Sequence, residues 1–458
     1  MMRRLTIVFV MIALAVAFAW AGGSKEAGAA AGGPQIKLDA QGMPVYNGPE
    51  VTLSFWSWVP GIDKAIAEFE KAYPNIKIKW DNVGNGTAEY NKLITALQAG
   101  SGAPDVAQIE FQALPTFINS GGVVDLSKLG VGQIKDKFVP WTWGQVSRGN
   151  SVYAIPQDTG PLAFAYRKDI YDKYGLKVPT TWKEFAADAK KLHDATNGKV
   201  FMTNFDGVGS GNGSYLLGLV WGDGGRIWNL NGDTWTQTLN GPKVKKVANF
   251  WMNLIKNGEV GTVTTWTSDW YKALGSGEIA SAIVAAWSPL LYANNLGPQS
   301  AGQWRVAPMP QWPDVSKFTT GNWGGSTDAV TIQAKNPLAA AVFSIWLNSN
   351  TTATDLNWLN GGLFPAALAG LQTKVLHNTD TSTGKYFGGQ DLAKVFTEAS
   401  KAVDVNFPWA PWYNLTMTAL GQAINDATAG KASIDTGLDN AQQTVIKQAQ
   451  QQGYKVNP

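Results

Sequence analysis

The sequence contains no cysteine and only two histidines in 458 residues. The first absence excludes disulfides, thiolate nucleophiles and every cysteine-ligated zinc or iron–sulfur site. The second leaves little imidazole for acid–base or metal chemistry, and His193 in a helical run and His377 in a polar loop are both expected to be solvated. An excess of one charge is missing too, with 37 Lys and Arg against 34 Asp and Glu and no long basic block. That argues against a phosphate-backbone partner, so no nucleic acid is expected. No glycine loop of P-loop type is present, and no cofactor is expected. Past the N-terminus no apolar run is long enough for a membrane span. What remains is 45% hydrophobic residues, enough for a large core in two or three domains. Also present are 21 Trp and 50 Gly among many Asn, Gln, Ser and Thr. That mixture suits flat, neutral, hydroxylated ligands held by ring faces and amides.

Arg3 and Arg4 precede an apolar run from Leu5 to Phe18 broken only by Thr6, and Ala19-Trp20-Ala21 follows. This reads as a secretory signal peptide over residues 1–21 with an A-x-A cleavage site. Residues 22–34, rich in Gly, Ala and Ser, read as a flexible tether. Ala21 stands where surface-anchored binding proteins carry a lipidated cysteine, so the expectation is an exported, periplasmic chain without a lipid anchor.

Val51, Leu53 and Phe55 alternate with polar neighbours as a strand does, and Ile62, Ile66, Phe69 and Tyr73 recur at helical spacing. Ile76 to Trp80 alternates again, Tyr90 to Leu97 is helical, and Asp105 to Ile109 is a short apolar strand. Strand–helix–strand–helix–strand predicts a parallel sheet with crossover helices. Val152–Pro156 and Leu162–Arg167 read as further strands, and Thr181 with Glu184 as a capping box opening a helix. Strands are also expected at Ala280–Ala286, Arg305–Met309 and Ala329–Ile332, a helix at Pro337–Leu347, and an amide-rich helical region from Tyr413 onward. Residues 321–327 read as a glycine-rich crossing.

Taken in order, several segments carry a resemblance: LSFWSWVPGIDKAIAEFEKAYPNIKIKW, APDVAQIEFQALPTFINSGGVVDLS, YAIPQDTGPLAFAYRKDIYDKYGLKVPTTWKEFAADAKKL, GSGEIASAIVAAWSPLL, VAPMPQWP and GGSTDAVTIQAKNPLAAAVFSIWLNS. No one of them is a strong motif, but their order and spacing are specific. The mature chain resembles the extracellular solute-binding proteins that serve ATP-driven sugar importers, the group containing maltose-binding protein. The resemblance implies a two-lobed α/β fold of periplasmic-binding-protein type, with a ligand cleft between lobes joined by a hinge. The N-terminal lobe is expected over 35–158 plus 326–370 and the C-terminal lobe over 159–325 plus 371–458. Ligands of open α/β sheets collect at strand ends and domain interfaces, which agrees. The implied partners are a neutral mono- or oligosaccharide, with a di- or oligosaccharide favoured by the number of Trp platforms, and the transmembrane permease of an ABC importer. The chain is expected to act as a monomer and to close about the segments near 158–161 and 323–326.

Asp158, in Pro156-Gln157-Asp158-Thr159-Gly160-Pro161, stands where the family places a sugar-binding carboxylate; the plainer reading is a turn aspartate. Glu110 ends an apolar strand in the loop where the family carries polar ligand-binding residues, with Gln108 and Gln112 sharing the assignment; the alternative is a capping carboxylate. Trp287 falls at the family's aromatic stacking position. Trp409 and Trp412, in Phe407-Pro408-Trp409-Ala410-Pro411-Trp412, offer further platforms for sugar C–H faces, against the ordinary fate of Trp in a core. Trp58, Trp221 and Trp323 lie in loops rich in Gly or Pro, while Gly324 and Gly325 would let backbone amides approach a ligand or serve as hinge glycines. The rival reading is a secreted glycosidase using Glu110 and Asp158 as its carboxylate pair. A lectin-like module would explain the Trp content but not the strand–helix order.

Overall fold

Alternation at the start of the fold builds the first sheet. In the computed structural model, which describes residues 35–205 and 212–457, strand Val51–Trp56 buries Leu53 and Phe55 completely and leaves Thr52 exposed. The helix Ile62–Ala72 that follows buries Ile62, Ala65, Ile66 and Phe69, one stripe at helical spacing. Strand Ile76–Asp81 and, after the helix Thr87–Gln98, strand Val106–Glu110 pair parallel to Val51–Trp56 on either side. Strand Ser326–Val330 runs antiparallel beside Val106–Glu110, and Ile155–Pro156 closes the five-stranded sheet. The helix Pro337–Ser349 covers this sheet and is buried along most of its length. The signal peptide and tether expected over residues 1–34 lie outside the described residues.

A second, three-stranded sheet has Leu162–Arg167 at its centre, flanked by Ser281–Ala285 and Trp304–Ala307. Every pairing in it is antiparallel, whereas the three strands for which the sequence predicts a parallel arrangement, in the first sheet, do run parallel. Helix Trp182–Thr196 starts at the expected capping box, with Thr181 accepting from the Glu184 N–H at 3.1 Å and Glu184 reaching back to the Thr181 N–H. Helix Leu392–Lys401 packs on the second sheet, while Asn212–Gly222, Pro242–Lys256, Tyr413–Thr428 and Ile434–Gln451 pack together beyond it.

The chain passes between the sheets at 157–161 and again at 321–325, and these segments touch through a Pro161–Asn322 bridge. It returns a third time between helix Thr351–Gly361, which packs on Ile62–Ala72, and Leu392–Lys401. This is a two-lobed α/β fold of periplasmic-binding-protein type. The last strand of the first sheet begins at Ser326, three residues before the expected Ala329. Ser326 pairs with Glu110 and its N–H donates to Asp158 Oδ1 at 2.7 Å, which draws the end of the crossing into the sheet. The histidines also depart from expectation. His193 Nδ1 lies 2.9 Å from the Gly258 carbonyl oxygen, and His377 Nδ1 lies 3.0 Å from Asp391, so both rings are partnered within the protein.

Candidate functional site

Strand Val106–Glu110 ends at the junction of the lobes, and Glu110 is its one residue that is not fully buried. Oε2 of Glu110 accepts the Tyr90 hydroxyl at 2.9 Å, and burial raises its pKa above the ordinary carboxylate value while hydrogen bonds from Gln112 and Tyr90 oppose that shift. The carboxylate faces a cleft of about 610 Å³, within the range of small-molecule sites. From the first lobe the cleft is lined by Gly86, Thr87, Tyr90, Glu110 and Gln112, and at the crossing by Asn322, Trp323 and Gly324. Its far wall holds Ser214, Trp409 and helix Tyr413–Thr428, with Asn414, Thr418, Gln422 and Asn425 on the cleft side. Those four share a face at helical spacing and extend about 16 Å along the axis. Among the described residues no lysine or arginine lines the cleft.

Five of the residues singled out from sequence meet here: Glu110, Gln112, Trp323, Gly324 and Trp409. Trp58 and Trp287 stand beside the cleft lining and contact it. Trp58 packs edge-on against Tyr90, with ring centroids 6.2 Å apart. The Trp287 indole N–H donates to the Trp323 carbonyl at 2.7 Å, and the two rings lie 5.9 Å apart. The remaining five face inward. Gln108 is 1% exposed and spends its amide on Ser57, the Trp58 N–H and Ser326. Asp158 is 3% exposed, holds the Ser326 N–H, and is raised to about pKa 7 by burial. Trp221 stacks on Phe407 at 3.8 Å in the core, and Trp412 donates to Gln237 at 3.0 Å behind the cleft wall. Gly325 backs onto Phe111 and the Asp158 carbonyl, where a Cβ would come within 3.0 Å of both.

Space explains one glycine of the crossing. A Cβ on Gly160 would lie 1.9 Å from the Trp323 carbonyl oxygen, the same atom that accepts from Trp287. Asn322 ties the two crossing segments, accepting from the Gly160 N–H at 2.9 Å and donating to the Gly324 carbonyl at 2.7 Å. Gly324 and Gly325 follow with φ of 75° and 91°, a region glycine alone enters freely.

Sequence reasoning missed Tyr90, Asn322 and the polar face of helix Tyr413–Thr428. The amide-rich composition of that helix was visible; the spacing of 414, 418, 422 and 425 was the usable signal. Most Trp residues are structural: of the 20 described, 12 are buried, so the Trp content speaks mainly of core packing. Among the described residues no helix is long and apolar enough to cross a membrane, and no cluster of three His, Cys, Asp or Glu could hold a metal ion.

The two-lobed fold with its interlobe cleft is that of a solute-binding protein. The family model of bacterial extracellular solute-binding proteins matches residues 56–354, and the chain belongs to that family. Such proteins bind solutes without transforming them, which sets aside the glycosidase reading of Glu110 and Asp158. The chain is 31% identical to the ABC transporter associated binding protein of B. animalis subsp. lactis Bl-04, solved in complex with β-1,6-galactobiose. That likeness covers 89% of this chain and all of the other, with a TM-score of 0.75. The galacto-N-biose-/lacto-N-biose I-binding protein of Bifidobacterium longum, in complex with lacto-N-biose, is 26% identical over 90% of this chain and all of its own, with a TM-score of 0.79. An arabinooligosaccharide-binding protein of Halalkalibacterium halodurans is 26% identical over 68% of this chain and 71% of its own length.

Proposed function

We propose that this chain is the sugar-binding component of an ABC importer, taking a neutral di- or oligosaccharide into the interlobe cleft and delivering it to a membrane permease. The observation that carries the reading is the lining: indoles of Trp323 and Trp409, amides of Gln112, Asn414, Gln422 and Asn425, the Glu110 carboxylate and, among the described residues, no lysine or arginine. Indole faces take up the C–H faces of a sugar, amides match hydroxyls that both donate and accept, and Glu110 accepts charge-assisted hydrogen bonds. A polar wall about 16 Å long favours more than one ring. The sugars bound by the galactobiose, lacto-N-biose and arabinooligosaccharide relatives fit this class.

In this reading the lobes, bounded near 158, 325 and 370, close about the crossings at 157–161 and 321–325, and the closed monomer is the shape the permease receives. The protein works in the periplasm after export. The test is calorimetric titration of β-1,6-galactobiose, lacto-N-biose and arabino-oligosaccharides, with amino acids and short peptides as controls. Heat from at least one sugar and none from the controls is expected; the reverse pattern overturns the reading.

A further inference from the structure

Trp266 is exposed, unlike the other described Trp residues, and it is 36% accessible. Its backbone is also unusual. Apart from glycine, only Asn197 and Trp266 have positive φ among the described residues. Asn197, at 51°, caps the end of helix Trp182–Thr196, a common place for asparagine in that conformation. Trp266, at 64°, caps nothing; helix Ser268–Ser276 begins after Thr267, whose side chain accepts from the Trp270 N–H. A bulky residue held left-handed is strained, and such residues gather where a ligand must be gripped.

The loop is fixed on both sides. Asn204 clamps Val263 through its side-chain oxygen and nitrogen, each at 2.8 Å, and Thr267 Oγ1 donates to the Thr264 carbonyl at 2.7 Å. The indole so placed lies 5.0 Å from Trp270, 5.4 Å from Trp287 and 5.8 Å from Trp323. Trp323 lines the cleft, and Trp266, outside that lining, adjoins it by this ring contact.

We propose that Trp266 is an outer stacking platform that selects ligand length: a sugar ring beyond those inside the cleft lies on its exposed face. This rests on the sugar reading above and adds to it the ring that distinguishes longer oligosaccharides from disaccharides. The strained backbone fixes the indole at the edge of the cluster of Trp270, Trp287 and Trp323, packed against those rings with part of its surface left accessible.

The experiment is calorimetric titration of wild type, Trp266→Ala, Trp266→Gly and Trp266→Phe with β-1,6-linked galactose oligomers and arabinose oligomers of two, three and four rings, alongside melting curves without ligand. Expected is at least a fivefold greater loss of affinity for four rings than for two in the Ala and Gly variants, with partial recovery in Phe. Gly suits the positive φ and keeps the fold variable separate from the platform. Equal losses at every length together with a lowered melting temperature would make Trp266 a core prop and overturn the proposal, as would unchanged affinity at every length. Binding of neither series by wild type would instead overturn the sugar reading, and the platform with it.

Discussion

The phenol of Tyr90 holds Glu110 at two points: it donates to Oε2 at 2.9 Å and accepts the Glu110 backbone N–H at 3.0 Å. One hydroxyl thus orients the carboxylate at the cleft and satisfies the last N–H of strand Val106–Glu110.

Tyr90→Phe removes both bonds and leaves the ring. The carboxylate then loses its direction, and affinity for sugar is expected to fall about tenfold, the equivalent of ~1.4 kcal/mol. Calorimetry of the variant beside Glu110→Gln checks this, and wild-type affinity in Tyr90→Phe would show that the tether is not used in binding.

Trp409 and Trp221 touch, with centroids 5.7 Å apart, yet should answer differently to truncation. Trp409→Ala opens the cleft wall and is expected to cost roughly tenfold to a hundredfold in affinity. Trp221→Ala empties a site that is 1% exposed and should cost about 3–5 kcal/mol of stability. Denaturant melts and titrations of both variants separate the two effects.

Gly160→Ala would force a Cβ against the Trp323 carbonyl at a distance no packing tolerates. The expected result is a loss of roughly 1–3 kcal/mol in stability, together with weaker binding as Trp287 loses its acceptor. A melting temperature equal to wild type would show that the crossing yields more easily than its packing indicates.

Acidification should first stabilise the protein. Burial raises Glu89 to about pKa 8 and both Asp158 and Asp328 to about 7. Each folded carboxyl therefore holds a proton that the unfolded chain, titrating near pKa 4, has released. Stability contributed this way is present below the unfolded pKa and lost as pH rises through the folded values, so melting temperature should climb from about pH 8.5 down to about pH 6. Asp328→Asn keeps an acceptor for Asn348 and Gln157 and should flatten that slope; a slope as steep as wild type would count against Asp328 as its source.

The first sheet and the helix Trp182–Thr196 were legible because their signals are local. Leu53 and Phe55 alternate within one strand, and Thr181 and Glu184 cap a helix three residues apart. The cleft was legible only in part. Whether a Trp lines a cleft or fills a core depends on what the distant chain brings to it: Phe407 stacks on Trp221, and Gln237 takes the Trp412 N–H, neither near its partner in sequence. Asp158 sits where a ligand contact was expected, but Ser326, arriving 168 residues later, takes its carboxylate. The polar face of helix Tyr413–Thr428 became a site only because the fold sets it opposite Glu110.

The two crossings are laced together by rungs. Asp158 receives the Ser326 N–H, and nearer the second lobe Gly160 and Trp323 exchange a backbone bond at 2.8 Å while Asn322 holds the Gly160 N–H. Gly324 and Gly325 lie between those fastenings. Even these two are held, the Gly324 carbonyl by Asn322 and the Gly325 carbonyl by the Phe111 N–H at 3.1 Å, so the pair of crossings is fastened along its whole length. Two segments laced in this way make one braid, and Trp323, which lines the cleft, is one of its strands' own residues.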